Sequence, residues 1–199
     1  MSDLLVMFIL YFSKIEFGNI SNIFSSVQCE YRVKRENLPL SFKNWEGGRE
    51  IEEKVFKNMI RRVLAKADDI PVHENVVNLL YETARVESKA GLYIEQIKGS
   101  ALGVYQIEEP TYHDLMSWLK YKPERYELVM KFYNKKLSLR DNLRKNLLFQ
   151  TIICAFHYYR YYKNNIVVLA RNKYSRAKMW KDKFNTSVGK GTKQKYMEA

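Results

Sequence analysis

Apolar residues recur with helical spacing along most of the chain after residue 50. Val55, Met59 and Val63 lie four residues apart, which predicts an amphipathic helix of about four turns. Pro71 is predicted to open a second helix, because proline is favoured at the first helical position. We expect that helix to end at Gly91, a residue suited to a C-terminal stop.

The longest apolar stretch predicts a central helix. Residues 146–162 are apolar nearly all round in their first half, as expected of a helix buried on every side. Further helices are predicted from Pro110, over 124–135 and over 166–184. Residues 88–109 carry three glycines and no helical period, which predicts a loop with short strands. The predicted fold is mainly α with little β.

The first part of the chain follows a different pattern. Leu4–Phe12 is a run of nine apolar residues, too short to span a bilayer as a helix. We expect it to be a buried or docking segment and no stable transmembrane span; an export or membrane-release signal is the alternative. The sequence therefore predicts an N-terminal extension over residues 1–48 and one domain over residues 49–199.

Composition adds a strongly basic balance. The chain has 199 residues, a formal net charge of +12, and a mean hydropathy of −0.43. From Arg160 to Lys195 there are eleven Lys or Arg residues and one acid, Asp182. Such a segment is either a solvated helical face with a basic tail or a surface that binds polyanions.

No metal or cofactor site is predicted. The two cysteines, Cys29 and Cys154, lie far apart, and Cys154 lies in an apolar run typical of a buried residue. His73, His113 and His157 are scattered, without the spacing of a metal-binding motif.

One carboxylate stands out at the end of the second helix. Glu87 continues the apolar face that runs through Leu80 and Thr83. A buried carboxyl has a raised pKa and can hold a proton near neutrality, as a general acid in glycoside cleavage must. The alternative is a half-exposed surface residue paired with Arg85 or Lys89.

Two stretches then carry a resemblance. Glu87-Ser88 at a helix end is followed by "ALGVYQIEEPT" at residues 101–111, in which Gly103-Val104-Tyr105-Gln106 stands where a Gly-Leu-Met-Gln-type motif is expected. This combination resembles the lytic transglycosylase and lysozyme-like family. "FHYYR" (156–160) and "FNTSVGKGT" (184–192) look like a phage-encoded branch of it. The resemblance covers about residues 55–197, and no clear Tyr-Asn motif is present.

The resemblance implies a lysozyme-like fold and cleavage of the β-1,4 bond between N-acetylmuramic acid and N-acetylglucosamine in peptidoglycan. Glu87 would be the catalytic acid and base. Ser88 would steady its carboxyl or the acyl side chain of the substrate, and Gln106 would hydrogen-bond a sugar. Tyr105 would stack on a sugar ring, and Tyr158, with Tyr159 as the alternative, would position Glu87 or the substrate. No cofactor is implied.

A second carboxylate would distinguish a hydrolase from a transglycosylase. Glu95 is the first candidate, with Glu108 and Glu109 behind it, although a solvated loop acid is the simpler interpretation of Glu95. Glu108 and Glu109 precede Pro110, where they suit a helix N-terminus. We therefore favour a mechanism with Glu87 alone.

Peptidoglycan is the expected partner, together with other phage virion proteins, in a phage virion or in the bacterial periplasm or cell wall. Two other classes stay open. One is a structural virion protein with a lysozyme-like fold. The other is a basic nucleic-acid-binding protein, in which "HYYRYYK" would combine stacking with phosphate contacts; we expect no nucleic-acid partner, because no nucleic-acid-binding motif accompanies it.

Overall fold

The computed structural model describes residues 40–97, 99–185 and 189–199, and its ordered elements are helical. Most of the predicted extension, including the apolar run at residues 4–12, lies outside the described residues. Short 3-10 helices cover Leu40–Lys43 and Lys163–Asn165, and a π-helix covers Trp180–Asn185. The α-helices are α1 (Glu53–Leu64), α2 (Glu74–Ser88), α3 (Glu109–Leu119), α4 (Pro123–Phe132), α5 (Leu139–Lys145), α6 (Leu147–Tyr162), α7 (Ile166–Leu169), α8 (Lys173–Met179) and α9 (Lys193–Glu198).

Helix α6 is the centre of the domain, as predicted. Every residue from Leu147 to Tyr159 is buried. Helices α1 to α5 and α7 all contact it. A helix that is apolar on all sides is stable only when neighbours cover all of it, and this arrangement provides them.

Helices α1 and α2 pack on each other with amphipathic faces. The buried stripe of α1 runs through Phe56, Met59 and Val63, whereas Val55 is 41% exposed. The predicted placement of Val55 on the buried face is therefore wrong. It lies one position off the stripe, in the first turn.

The start of α2 also differs from the prediction. It begins at Glu74, not at Pro71, because His73 is extended and its Nδ1 accepts a hydrogen bond from the Asn75 amide at 3.1 Å. The helix ends at Ser88, three residues before the predicted stop at Gly91, because the next residue, Lys89, adopts a left-handed conformation with φ 51°.

The predicted single helix over 166–184 is wrong. The chain forms α7, then α8, then the π-helix. The break lies at Asn172, whose side chain accepts a hydrogen bond from the Ser175 amide at 2.8 Å and so caps a new helix. The tail also contains α9, capped by Thr192, where the sequence predicted no helix.

The remaining segments complete the domain. Phe42 belongs to the core, and the Trp45 amide donates to the carbonyl of Lys145 at 2.8 Å. Residues 42–48 therefore pack on the helical domain, although the sequence analysis assigned them to the N-terminal extension. Residues 89–108 form the predicted loop, in which Leu102 makes isolated bridges with Glu95 and Ile107.

The predicted mainly α fold class is confirmed. Within the described residues, no helix combines the length and apolarity needed to cross a membrane.

Candidate functional site

Glu87 lies in the last turn of α2, and its side chain is half-buried. Its Oε1 accepts a hydrogen bond from the indole Nε1 of Trp180 at 2.7 Å. Burial raises the pKa of Glu87 from its ordinary 4.5 to about 7, while the Trp180 hydrogen bond and the charge of Lys195 act in the opposite direction. A carboxyl in this state exists in both protonation forms at neutrality, which suits proton donation followed by proton acceptance.

Ser88 connects α2 to the loop that follows it. Its hydroxyl is buried, lies 2.7 Å from the Val104 carbonyl oxygen and 3.1 Å from that of Ala84, and accepts a hydrogen bond from the Gly91 amide at 3.0 Å. The predicted contact with the carboxyl or the substrate does not fit this placement, because the hydroxyl is already committed to backbone groups. Ser88 instead holds the loop against the helix that carries Glu87.

Tyr105 also lies elsewhere than predicted. Its side chain is fully buried, with its hydroxyl 3.3 Å from Oγ1 of Thr151 and its ring against Phe56. Stacking on a sugar ring needs an exposed face, and the ring has none. The predicted role is therefore wrong for this arrangement; an apolar environment with a polar partner for the hydroxyl accounts for a tyrosine in the core.

Gln106 lies next in the loop and remains half-exposed. Its backbone is left-handed, with φ 47°, and its Nε2 donates to the carbonyl of Gly103 at 2.8 Å. Among the described residues, Oε1 accepts no hydrogen bond. The predicted bond from Gln106 to a sugar stays a prediction.

Tyr158 is fully buried beneath the site. Its hydroxyl lies 2.8 Å from Oγ1 of Thr83, one turn before Glu87, and its ring stacks on Phe184. Contact with a substrate is therefore excluded for Tyr158, whereas support of the helix under Glu87 fits. The alternative, Tyr159, packs under the guanidinium of Arg125 at 5.1 Å.

Glu95 is 47% exposed and lies on the loop between two arginines of α5. Arg144 Nε lies 3.0 Å from its carboxylate and Arg140 lies at 3.7 Å. Its role as a second carboxylate stays a prediction. Glu108 is exposed and accepts a hydrogen bond from Ser100 at 3.4 Å, and Glu109 lies in the first turn of α3 as predicted.

The sequence analysis missed the C-terminal contribution to the site. Trp180, Tyr196, Val86 and Ala177 form a small apolar cluster on the side of α2 next to Glu87. Helix α9 contacts α2 there. A lone tryptophan in a basic segment carries no periodic signal that links it to a carboxylate so far back in the chain.

The remaining chemistry-bearing residues have structural surroundings. His73 caps α2, and His157 is buried, with Nε2 2.8 Å from the Lys183 carbonyl oxygen and a pKa lowered by burial. Cys154 is free and buried, as predicted; Cys29 lies outside the described residues. Within the part of the chain that the structure describes, no three His, Cys, Asp or Glu side chains converge as a metal site would require.

The basic segment is only partly neutralised by ion pairs. Arg176 forms a bidentate pair with Glu82 of α2 at 2.6 and 2.8 Å, and Arg160 lies 2.6 Å from Asp114. Tyr174 on the same segment is 63% exposed. The surface of this segment thus combines positive charge with an aromatic ring.

Comparisons of the chain with protein-family models, with curated proteins and with solved structures found no match. Its function is therefore inferred from the chemistry of Glu87 and its neighbours.

Proposed function

We propose that this protein degrades peptidoglycan as a lytic transglycosylase, with a lysozyme-like fold and Glu87 as its single catalytic acid and base. The observation that carries the proposal is the carboxyl of Glu87, which lies at a helix end beside a glycine-containing loop and has a pKa raised to about 7. The resemblance of residues 55–197 to the phage-encoded branch supports a phage protein that acts in the virion or as an endolysin.

The proposed reaction begins with protonated Glu87. It donates its proton to the glycosidic oxygen between N-acetylmuramic acid and N-acetylglucosamine, and the bond from the muramic C1 to that oxygen breaks. The resulting carboxylate then takes the proton of the muramic 6-hydroxyl while the oxygen of that hydroxyl forms a bond to C1. The products are a 1,6-anhydro sugar end and a free 4-hydroxyl, and no water is consumed.

A hydrolase would instead add water at C1 and would employ a second carboxylate. Glu95, the first candidate, lies between Arg140 and Arg144. Both arginines form ion pairs with its carboxylate, which fits a residue that fastens the loop to α5. We therefore assign Glu95 to the attachment of the loop and keep Glu87 as the single catalytic carboxyl of the proposal, which the Glu95→Gln variant below tests.

The decisive experiment is digestion of purified peptidoglycan with wild type, Glu87→Gln and Glu95→Gln, with the muropeptides identified by mass spectrometry. Anhydro-muropeptides from wild type and Glu95→Gln, but not from Glu87→Gln, are expected. Glu124→Gln, on the exposed surface of α4, is the matched control and should behave like wild type. Reducing ends would establish hydrolysis, and an inactive wild type would overturn the enzyme proposal.

The basic segment supports a second candidate, a protein that binds nucleic acid. Tyr174 is exposed, with the ammonium of Lys193 5.8 Å from its ring centre, and such a pair can stack on a base and contact a phosphate. Oligonucleotide binding that weakens steeply with salt would favour this function. A structural virion protein would show neither cleavage nor salt-dependent binding.

A further inference from the structure

The C-terminal part of the chain supplies the direct partner of the Glu87 carboxyl. Trp180 follows α8 and begins the π-helix Trp180–Asn185. π-Helical turns are rare and occur frequently at functional sites. Here the indole of Trp180 is 1% exposed and reaches Oε1 of Glu87 across 93 residues of sequence.

The indole is held in place on several sides. Its ring lies 5.5 Å from that of Tyr196, centre to centre, and both pack with Val86. The backbone at Gly191 comes so close that a Cβ atom there would collide with the Trp180 ring. A tryptophan enclosed in this way has little freedom to move away from the carboxyl.

The chemistry of the donor decides how the carboxyl holds its proton. An indole nitrogen donates a hydrogen bond and cannot accept one. Oε1 therefore accepts in both states of Glu87, and because a carbonyl oxygen is a better acceptor than a hydroxyl oxygen, this bond favours the exchangeable proton on Oε2. The bond is also stronger to the ionised carboxylate, because a charged acceptor strengthens a hydrogen bond.

We propose that Trp180 is a positioning residue that fixes the Glu87 carboxyl through Oε1 and leaves Oε2 as the oxygen that gives and takes the proton. This assignment rests on the proposed function for its role in turnover, but the contact itself does not. The titratable groups that face Glu87 are Lys195 of α9, and Cys154 and Tyr158 of α6.

The first measurement is independent of activity. The protein has three tryptophans, so substitution to Phe assigns each indole N–H resonance in a ¹⁵N-labelled sample. The Trp180 resonance should shift with pH at the same midpoint as the ¹³C-labelled carboxyl of Glu87, and should stop titrating in Glu87→Gln. A Trp180 resonance that ignores the protonation of Glu87 would overturn the proposal even if the enzyme is active.

The second measurement compares Trp180→Phe with Trp118→Phe. Trp118 is a partly buried ring near Arg125 and serves as the matched control. We expect Trp180→Phe to lower kcat about 10-fold with little change in KM, and to move the alkaline limb of the pH profile up by about one pH unit, since a bond that favours the ionised form is lost. Trp118→Phe should change neither.

The outcomes separate the two proposals. An indole that titrates with Glu87 in a protein without any action on peptidoglycan would refute the proposed function and leave the hydrogen bond established. A Trp180→Phe protein that is folded by circular dichroism and keeps both kcat and the pH profile of wild type would refute the positioning role alone.

Discussion

The raised pKa of Glu87 has a measurable consequence for the free energy of unfolding. In Glu87→Gln the amide keeps the shape of the carboxyl, and its oxygen can still accept the hydrogen bond from Trp180. The variant therefore removes the titration of the site while preserving its packing. Any pH dependence that is present in wild type and absent from the variant belongs to this one carboxyl.

The sign and size follow from the pKa. Burial raises the folded-state pKa of Glu87 to about 7 from an ordinary 4.5, so between these values the folded protein binds more protons than the unfolded chain. Wild type therefore loses stability as the pH rises through this range. At about 1.36 kcal/mol per pH unit the loss of unfolding free energy reaches at most about 3–4 kcal/mol, and it is smaller to the extent that the half-buried side chain keeps contact with water.

The assay is urea denaturation followed by circular dichroism, from about pH 4 to about pH 8.5. We expect Glu87→Gln to gain stability relative to wild type as the pH rises and to reach its full advantage above about pH 7. His157 is buried with a lowered pKa, but it titrates in both proteins and cancels in the difference. The surface variant Glu124→Gln should run parallel to wild type, and a Glu87→Gln difference that stays constant over the whole range would refute the reasoning.

Three further substitutions test the supports of the site. Ser88→Ala removes the hydroxyl that binds backbone groups of helix and loop, and should cost about 1–3 kcal/mol of unfolding free energy in urea titrations; an unchanged midpoint would contradict the linking role. Gly103→Ala should lower the thermal midpoint and the yield of folded protein, because φ is 76° and the added Cβ would collide with the carbonyl oxygen of Leu143. Glu82→Gln leaves the buried guanidinium of Arg176 without its countercharge and should lower the free energy of unfolding in urea by about 3–5 kcal/mol. A decrease below about 1 kcal/mol would show that the ion pair is solvated.

Much of the helical core could be predicted from local pattern. The apolar spacing of α1 and the all-round apolar surface of α6 are direct consequences of burial. The placement of Glu87 at the end of the α2 face followed from the same period. The sequence analysis did not predict helix α5, although the Ser138 hydroxyl caps its start by accepting a hydrogen bond from the Asp141 amide and donating one to the Asp141 carboxylate.

The features that the sequence analysis predicted wrongly or missed have three different causes. Tyrosine is amphipathic, so Tyr105 and Tyr158 could equally line a cleft or fill a core, and their hydroxyls found partners inside. The break after α7 depends on a single capping side chain, that of Asn172. The Trp180 contact joins segments so distant in the chain that no local pattern could indicate it.

That separation also imposes an order in time. The carboxyl of Glu87 is synthesised 93 residues before the indole that binds it, and at about 5–20 residues per second the interval is roughly 5–20 s. Throughout that interval the small apolar cluster formed by Trp180, Tyr196, Val86 and Ala177 is incomplete. A nascent chain that ends before Trp180 therefore contains Glu87 without the hydrogen bond that orients its carboxyl.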